Sequence, residues 1–228
     1  MSRAWRAMRR FWQSDPGLSI FLGLLVLVLF VLPPLIDPVG GERSRVLDLG
    51  FSALLLAGVA ALSVRPAARA ALLVVVTAAT VVRWGPFSAQ ATASAGLVSI
   101  AAMTLVVLAQ TFRAGPVNVH RIQGAVAAYL LLGLAWALAY ELVDLRAIQA
   151  FSFTNPAQRQ RHDFVYFSFV TLTTVGYGDL TPVHPAARSL AVAEALTGQL
   201  YPAILLARLV SLATGGAPSG SDQKTGSS

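Results

Sequence analysis

The chain of 228 residues is 56% hydrophobic and 12% charged, a balance that places it in the membrane class and not among soluble proteins. It contains no cysteine, which excludes disulfides and thiolate metal sites. The net charge of +7 comes mainly from arginines that flank apolar runs, so lipid headgroups are the expected partner and nucleic acid is not.

The first segment, residues 1–16, interleaves basic and aromatic side chains. At helical spacing this pattern favours an interfacial helix whose arginines contact anionic headgroups, and a solvated leader is the alternative. Asp15 and Pro16 are typical of an N-cap followed by a first-turn proline. The arginines concerned are Arg3, Arg6, Arg9 and Arg10.

Six apolar runs follow, and each predicts a membrane-crossing helix. A run of about 20 residues is long enough to cross the hydrocarbon core of ~30 Å, and the third run is the shortest unless the alanines before it join the helix. Pro33 and Pro34 are expected to end or kink the first crossing. The six runs cover approximately residues 17–36, 46–64, 70–82, 93–112, 122–145 and 186–213.

The arginines in the loops predict the orientation. With a cytoplasmic N-terminus, more of the arginines around the first four crossings lie inside than outside, as the positive-inside rule requires. Six crossings then place both termini in the cytoplasm and the loop between the fifth and sixth crossings outside. The inside arginines are 3, 6, 9, 10, 65, 69, 113 and 121, and the outside ones are 43, 45 and 83.

The loop between the last two crossings carries the most informative motif. A short amphipathic run, 163–173, precedes the sequence Thr-Val-Gly-Tyr-Gly-Asp at 174–179. Glycines that adopt positive φ, alternating with other residues, allow consecutive carbonyl groups to point in one direction. Four such strands around an axis would form rings of oxygens that replace the water shell of a potassium ion, with the Thr174 hydroxyl adding a further ring.

Residues 174–179 resemble the selectivity-filter signature of potassium channels, and residues 166–173 resemble the pore helix of that family. The resemblance covers residues 163–209 and is closest to bacterial six-transmembrane tetrameric channels. It implies a passive potassium channel with K⁺ as the permeant ion and no cofactor. Because one chain supplies one filter strand, we expect a homotetramer with cyclic symmetry. The ion-binding residues implied are Thr174, Val175, Gly176, Tyr177 and Gly178.

The residues around the filter depart from the family pattern. Tyr166 and Phe167 stand where many members carry two tryptophans, and Val170 stands where some members carry a buried carboxylate. The resemblance implies either that the Tyr166 hydroxyl bonds Asp179 or that it is simply solvated. The lack of a carboxylate at Val170 implies weak inactivation at the filter.

The sixth run carries the gate candidates. Gly198 matches the glycine hinge of the family's inner helix, although a close-packing site is the alternative. Pro202 removes a hydrogen bond and predicts a kink near 198–202, which can be mobile or purely structural. The resemblance places Gln199, Pro202 and Leu206 at the cavity below the filter.

Two ionisable residues in the sixth run need partners. Glu194 lies within an apolar segment, where an unpaired charge is costly, and we expect it to bond the back of the pore helix. Arg208 is placed to reach the cytoplasmic headgroups.

The first four crossings resemble a voltage sensor in topology only. The fourth run has no Arg or Lys before Arg113, so little voltage dependence is expected, and the unit is predicted to act as a scaffold or to bind lipid or a partner protein. His120, His162 and His184 could titrate, or be ordinary loop residues. The predicted organisation is an interfacial helix (1–16), a four-helix unit (17–112), a linker (113–121), a pore domain (122–214) and a disordered tail (215–228).

The predicted fold is therefore an all-α membrane protein with six crossings plus a re-entrant pore helix and filter loop, located in the bacterial plasma membrane. A weakly selective cation channel and a pore subunit of a transport or signalling assembly are the alternatives. No nucleophile–base arrangement or phosphate loop is visible, so an enzyme is not expected.

Overall fold

The structure is a computed structural model that describes residues 16–35, 42–61, 66–112, 119–147, 149–154 and 163–214. Several predictions therefore fall outside the described residues. These are the interfacial helix at 1–15 with its four arginines, the polar connector at 113–118, His162 and the tail at 215–228.

The described chain is helical almost throughout, which confirms the predicted all-α class. The helices are α1 (Pro16–Val26), which continues through a π-helical segment (Leu27–Val31) into α2 (Leu32–Leu35), then α3 (Glu42–Ala61), α4 (Pro66–Trp84), α5 (Ala89–Thr111), α6 (Val119–Arg146), α7 (Asp163–Leu172) and α8 (Pro185–Thr214).

Local sequence explains where these helices begin and end. Helix α1 begins at Pro16 and α4 begins at Pro66, since the first turn of a helix tolerates a residue without N–H. The π-helical segment ends two residues before Pro33, which can make no i−4 hydrogen bond. Helix α5 begins after Ser88, whose hydroxyl accepts from the N–H of Ala91 at 3.2 Å as an N-cap.

Four of the predicted crossings are long and apolar enough to span a membrane. They are Pro66–Trp84, Ala89–Thr111, Arg121–Arg146 and Pro185–Arg208. The first two predicted crossings correspond to shorter apolar helices among the described residues, Gly17–Val31 and Val46–Ala61. The membrane class is thus confirmed, and the number of six crossings stays a prediction.

One apolar cluster joins the N-terminal helices to α6. Its fully buried side chains come from α1, α3, α4 and α5, and on α6 from residues such as Leu131. The ring of Phe30, in the π-helical segment, meets the ring of Phe169 on α7 edge-on with 5.2 Å between centroids. The N-terminal helices are therefore packed against α6 and α7 of the same chain.

A small antiparallel sheet, absent from the sequence prediction, links the loop after α6 to the segment before α8. Strand β1 (Phe151–Phe153) pairs with β2 (Leu180–Pro182), with Ser152 opposite Thr181. The sheet holds the segment that follows residue 179 against the body of the chain. This matters because residues 174–179 carry the predicted filter.

Candidate ion-conduction site

Helix α7 leads directly into the predicted filter. It begins at Asp163 and ends at Leu172. Asp163 is an acid in the first turn, where the positive end of the helix dipole stabilises a negative charge. The N–H of Thr173 still bonds the carbonyl of Phe169 at 3.0 Å, so the helical pattern gives way to a turn at Thr174. The negative end of the dipole is thus directed at the start of the filter segment.

The filter segment has an alternating backbone. Thr174 and Gly176 both have φ of +60°, and Gly178 has φ of +80°, whereas Val175 and Tyr177 between them are not in the positive-φ region. Alternation of left- and right-handed residues turns successive N–H groups to one side of the chain and successive carbonyls to the other. The predicted use of positive φ at the two glycines is confirmed.

Hydrogen bonds fix the side to which the N–H groups turn. The N–H of Val175 and the N–H of Gly176 both donate to the carbonyl of Val170, at 2.9 and 3.3 Å, and the N–H of Thr174 donates to Thr171 at 2.9 Å. The N–H groups of residues 174–176 therefore face the end of α7, and the alternation turns the carbonyls of these residues to the other side. Carbonyl oxygens presented in this way can coordinate a cation.

The positive φ of Thr174 was not anticipated from the sequence. A β-branched residue rarely adopts this conformation, so the surrounding contacts must hold it there. The Thr174 hydroxyl accepts a hydrogen bond at 3.2 Å from the Gln199 amide of α8, which places Gln199 directly below the filter segment.

Asp179, at the C-terminal end of the segment, is held mainly by Tyr166 and Thr154. The Tyr166 hydroxyl donates to its carboxylate at 2.8 Å, so this hydrogen bond is present and the hydroxyl is not simply solvated. The ring of Tyr166 stacks on that of Tyr177, with centroids 6.4 Å apart. Thr154, which the sequence analysis missed, donates to the Asp179 carbonyl through its N–H at 3.0 Å and through its hydroxyl at 2.9 Å.

The environment of Tyr166 keeps its hydroxyl protonated. Partial burial raises the pKa of Tyr166, and the hydrogen bond to Asp179 and the charge of that carboxylate raise it further, to about 12. The hydroxyl therefore remains a donor to Asp179 at ordinary pH.

The other two predicted support residues act differently from Tyr166. Phe167 of α7 is buried, and its ring contacts those of Tyr140 and Phe151 at 4.9 and 5.5 Å between centroids. Val170 is half-buried and contributes through its carbonyl, the acceptor for two filter N–H groups. Of the two residues that replace the family's tryptophans, Tyr166 and Phe167, only Tyr166 has a described side-chain hydrogen bond to the filter segment.

The back of α7 is anchored by a buried polar group. Glu194 of α8 is fully buried, and its carboxyl group contacts the hydroxyls of Ser168 on α7 and Tyr140 on α6. The predicted bond from Glu194 to the back of the pore helix is therefore confirmed. Ser168 and Tyr140 were not identified from the sequence, because isolated serine and tyrosine residues in apolar runs form no recognisable motif.

One turn further along α8, Gly198 packs against the end of α7. A Cβ added at Gly198 would overlap the Leu172 carbonyl oxygen and lie 2.8 Å from the carbonyl carbon. The Tyr129 hydroxyl donates to the same carbonyl oxygen at 3.3 Å. Of the two interpretations of Gly198, close packing now has a specific contact, and the hinge stays a prediction.

The remaining predicted gate and cavity residues lie on the exposed side of the single chain. Helix α8 continues through Pro202, and the kink and gate near 198–202 stay predictions. Gln199, Pro202 and Leu206 are all exposed. Arg208 donates to the Phe112 carbonyl at the end of α5, and His184 accepts from the N–H of Ala186 at 3.2 Å at the start of α8.

Comparison with known proteins assigns a class to the site. Residues 126–214, which contain α7, the filter segment and α8, match a family model described as "Ion channel". This match, together with the apolar helices, supports a membrane-embedded ion channel and not an enzyme.

Two curated relatives give the particular similarities. Protein LctB from Bacillus caldotenax is 37% identical over 87 residues, which is 36% of this chain and 64% of that protein. "Two pore potassium channel c" from Oryza sativa subsp. japonica is 47% identical over 49 residues, 22% of this chain and 11% of that protein. The chain thus covers less than two thirds of each, and no solved structure matches it.

Proposed function

We propose that the chain is one subunit of a potassium-selective channel that conducts K⁺ passively down its gradient. The observation that carries the proposal is the filter segment, whose φ values alternate in sign and whose first three N–H groups, at residues 174–176, donate to the carbonyls of Val170 and Thr171. Carbonyls of residues 174–178, with the Thr174 hydroxyl, would replace the water shell of the ion. The similarity to a plant protein named as a potassium channel supports the choice of ion.

The conducting unit is a homotetramer. One chain offers one strand of oxygens, and Val175 and Tyr177 are 52% and 71% exposed in it. Helix α8 adds an exposed apolar stripe at intervals of four residues, formed by Val192, Leu196, Leu200 and Ile204. Three further copies around a four-fold axis would cover this stripe and complete each ring of oxygens. Gln199, Pro202 and Leu206 would then line the cavity below the filter.

The N-terminal helices act as a scaffold and not as a voltage sensor. Helix α5 contains no Arg or Lys that could move through the membrane field. Arg83, at the end of α4, is paired with Asp48 of α3 and lies over the Phe51 ring with 4.0 Å to its centroid. The shared core of α1, α5 and α6 supports a non-swapped arrangement, in which each scaffold packs on the pore domain of its own chain.

The location that fits the arginine distribution is the bacterial plasma membrane, with both termini in the cytoplasm. The arginines at 3, 6, 9 and 10 would contact anionic headgroups. The gate lies near Gly198 and Pro202, where a proline follows a glycine by one turn of α8.

The proposal is tested by potassium flux from liposomes that contain the purified protein. The matched variants are Gly176→Ala, which places a Cβ at φ of +60°, and Gly23→Ala, a position in α1 with nothing within 4 Å. We expect K⁺ efflux from the parent and the Gly23→Ala protein and its loss in Gly176→Ala, with a tetramer in native mass spectrometry. Equal K⁺ and Na⁺ flux through the parent protein would indicate the weakly selective alternative. A folded parent tetramer that shows no flux would refute the proposal.

A further inference from the structure

The carboxyl group of Glu194 is enclosed by neutral partners. It is 0% exposed, and its hydrogen-bond partners within the described part of the chain are the hydroxyls of Ser168 and Tyr140. Neither partner carries a positive charge. A carboxylate buried in this way would cost several kcal/mol relative to water, as charged groups within membrane segments do.

The hydrogens in this cluster can be counted. The Ser168 oxygen lies 2.6 Å from the carbonyl oxygen of Gly133 on α6 and also contacts one Glu194 oxygen, while Tyr140 contacts the other. The three contacts therefore require three hydrogens. Ser168 and Tyr140 supply one each, and the Gly133 carbonyl supplies none.

An ionised Glu194 would leave one contact without a hydrogen. Tyr140 would donate to the carboxylate, and Ser168 could donate either to Glu194 or to Gly133. Whichever it chose, two acceptor oxygens would face each other at hydrogen-bond distance, which is repulsive. A protonated carboxyl group removes the conflict, because the acid then donates to Ser168, Ser168 donates to Gly133 and Tyr140 donates to the second carboxyl oxygen.

We infer that Glu194 is a neutral carboxylic acid whose proton, donated to Ser168, completes a hydrogen-bond chain that positions the pore helix α7 between α6 and α8. Among the described residues, the titratable groups that face it are the hydroxyls of Tyr140 and Tyr129 on α6. The group that faces it from α7 is the Ser168 hydroxyl, which does not titrate. The consequence for conduction rests on the proposed function. The protonation state of Glu194 does not.

The position of the cluster explains why it would matter for the filter. Glu194 and Gly198 are one turn apart on α8, and their contacts on α7, Ser168 and Leu172, are also one turn apart. Two successive turns of α8 thus contact α7. The last turn of α7 supplies the carbonyls, at Val170 and Thr171, that accept from the filter N–H groups. A shift of α7 would move those acceptors.

Infrared difference spectroscopy at neutral pH tests the inference on the full chain in lipid. The parent minus Glu194→Gln spectrum is expected to contain the carbonyl-stretch band of a hydrogen-bonded carboxylic acid, shifted on exchange into D₂O. In Ser168→Ala the acid loses its acceptor, so the band should move to higher frequency. Carboxylate bands in place of the acid band would overturn the inference, whatever the channel conducts.

Rescue by a matched variant tests the positioning role. The amide of Glu194→Gln can donate to Ser168 and accept from Tyr140, so potassium selectivity and tetramer melting temperature should stay close to the parent values. Glu194→Met, of similar length, keeps neither bond and should lose selectivity. Equal selectivity in the two variants, with both tetramers intact, would show that the chain of hydrogen bonds does not position α7.

Discussion

The two halves of the chain hold their helices together by different kinds of contact. The N-terminal helices share a core of apolar side chains, and the described polar contacts between α3 and α4 are the Arg83–Asp48 pair and the bond from Trp84 to Ser52. In the C-terminal half, α7 and the filter segment are held by hydrogen bonds from hydroxyls, an amide and a carboxyl group, such as those of Tyr129, Gln199 and Glu194. Apolar packing tolerates small shifts, whereas aimed hydrogen bonds do not. We therefore expect the C-terminal half to tolerate substitutions less well than the N-terminal half.

The largest expected effect comes from the same substitution made in both halves. Gly198→Ala places a methyl group against the Leu172 backbone, which cannot move without displacing the filter. We expect loss of the folded tetramer or of selectivity, measured by gel filtration and potassium flux. Gly58→Ala in α3 meets the flexible side chain of Met103 and should retain flux with reduced stability, by about 1–3 kcal/mol as in other overpacked cores.

Gly23→Ala completes this series, because its Cβ would meet nothing within 4 Å. It should leave stability unchanged or raise it by about 0.5–1 kcal/mol. If Gly198→Ala were as well tolerated as Gly23→Ala, the contrast between the two halves would be wrong.

The next effect concerns the ion pair of the N-terminal half. In Arg83→Gln, Asp48 loses its partner, and since the pair is largely shielded from solvent we expect a loss of roughly 1–3 kcal/mol, below the figure for a fully buried pair. Thermal melting of the tetramer measures it, with Arg83→Gln/Asp48→Asn as the control that should recover part of the loss. Selectivity should not change in either variant. A change in the conductance–voltage relation would instead give Arg83 a sensing role.

A smaller effect is expected at the outer end of the filter. Tyr166→Phe keeps the ring that stacks on Tyr177 but removes the hydrogen bond to Asp179, for which about 0.5–1.5 kcal/mol is typical. We expect shorter openings in low external potassium, measured in single-channel records. Tyr201→Phe is the matched control, since its hydroxyl bonds the Ala125 carbonyl away from the filter. Openings shortened equally by both changes would contradict a specific role for Tyr166.

The sequence predicted the parts of the site that depend on local pattern. The lengths of the apolar runs located the helices, although the N-terminal alanines of α4 and its last turn extended the shortest run to Pro66–Trp84. The glycines at 176 and 178 predicted positive φ because other residues adopt it rarely. Glu194 was correctly assigned a partner on the pore helix, because a buried acid in an apolar run requires one.

The parts that were missed depend on which distant residues meet. Thr154 reaches Asp179 only because strand β1 pairs with β2, which follows the filter segment. Tyr140 and Ser168 reach Glu194 only through the packing of three helices. The positive φ of Thr174 is imposed by its position at the end of α7, against the preference of a β-branched residue. None of these has a signal in a single sequence.

We propose that the backbone of residues 174–178 selects potassium, and a reversal potential will show whether it does. The purified protein is placed in a planar bilayer with potassium on one side and sodium on the other. We expect a reversal potential close to the potassium equilibrium potential. Conductance should be similar at both polarities because α5 contains no Arg or Lys that could sense voltage. A reversal near zero would mean that the filter passes both ions, and the claim would be wrong.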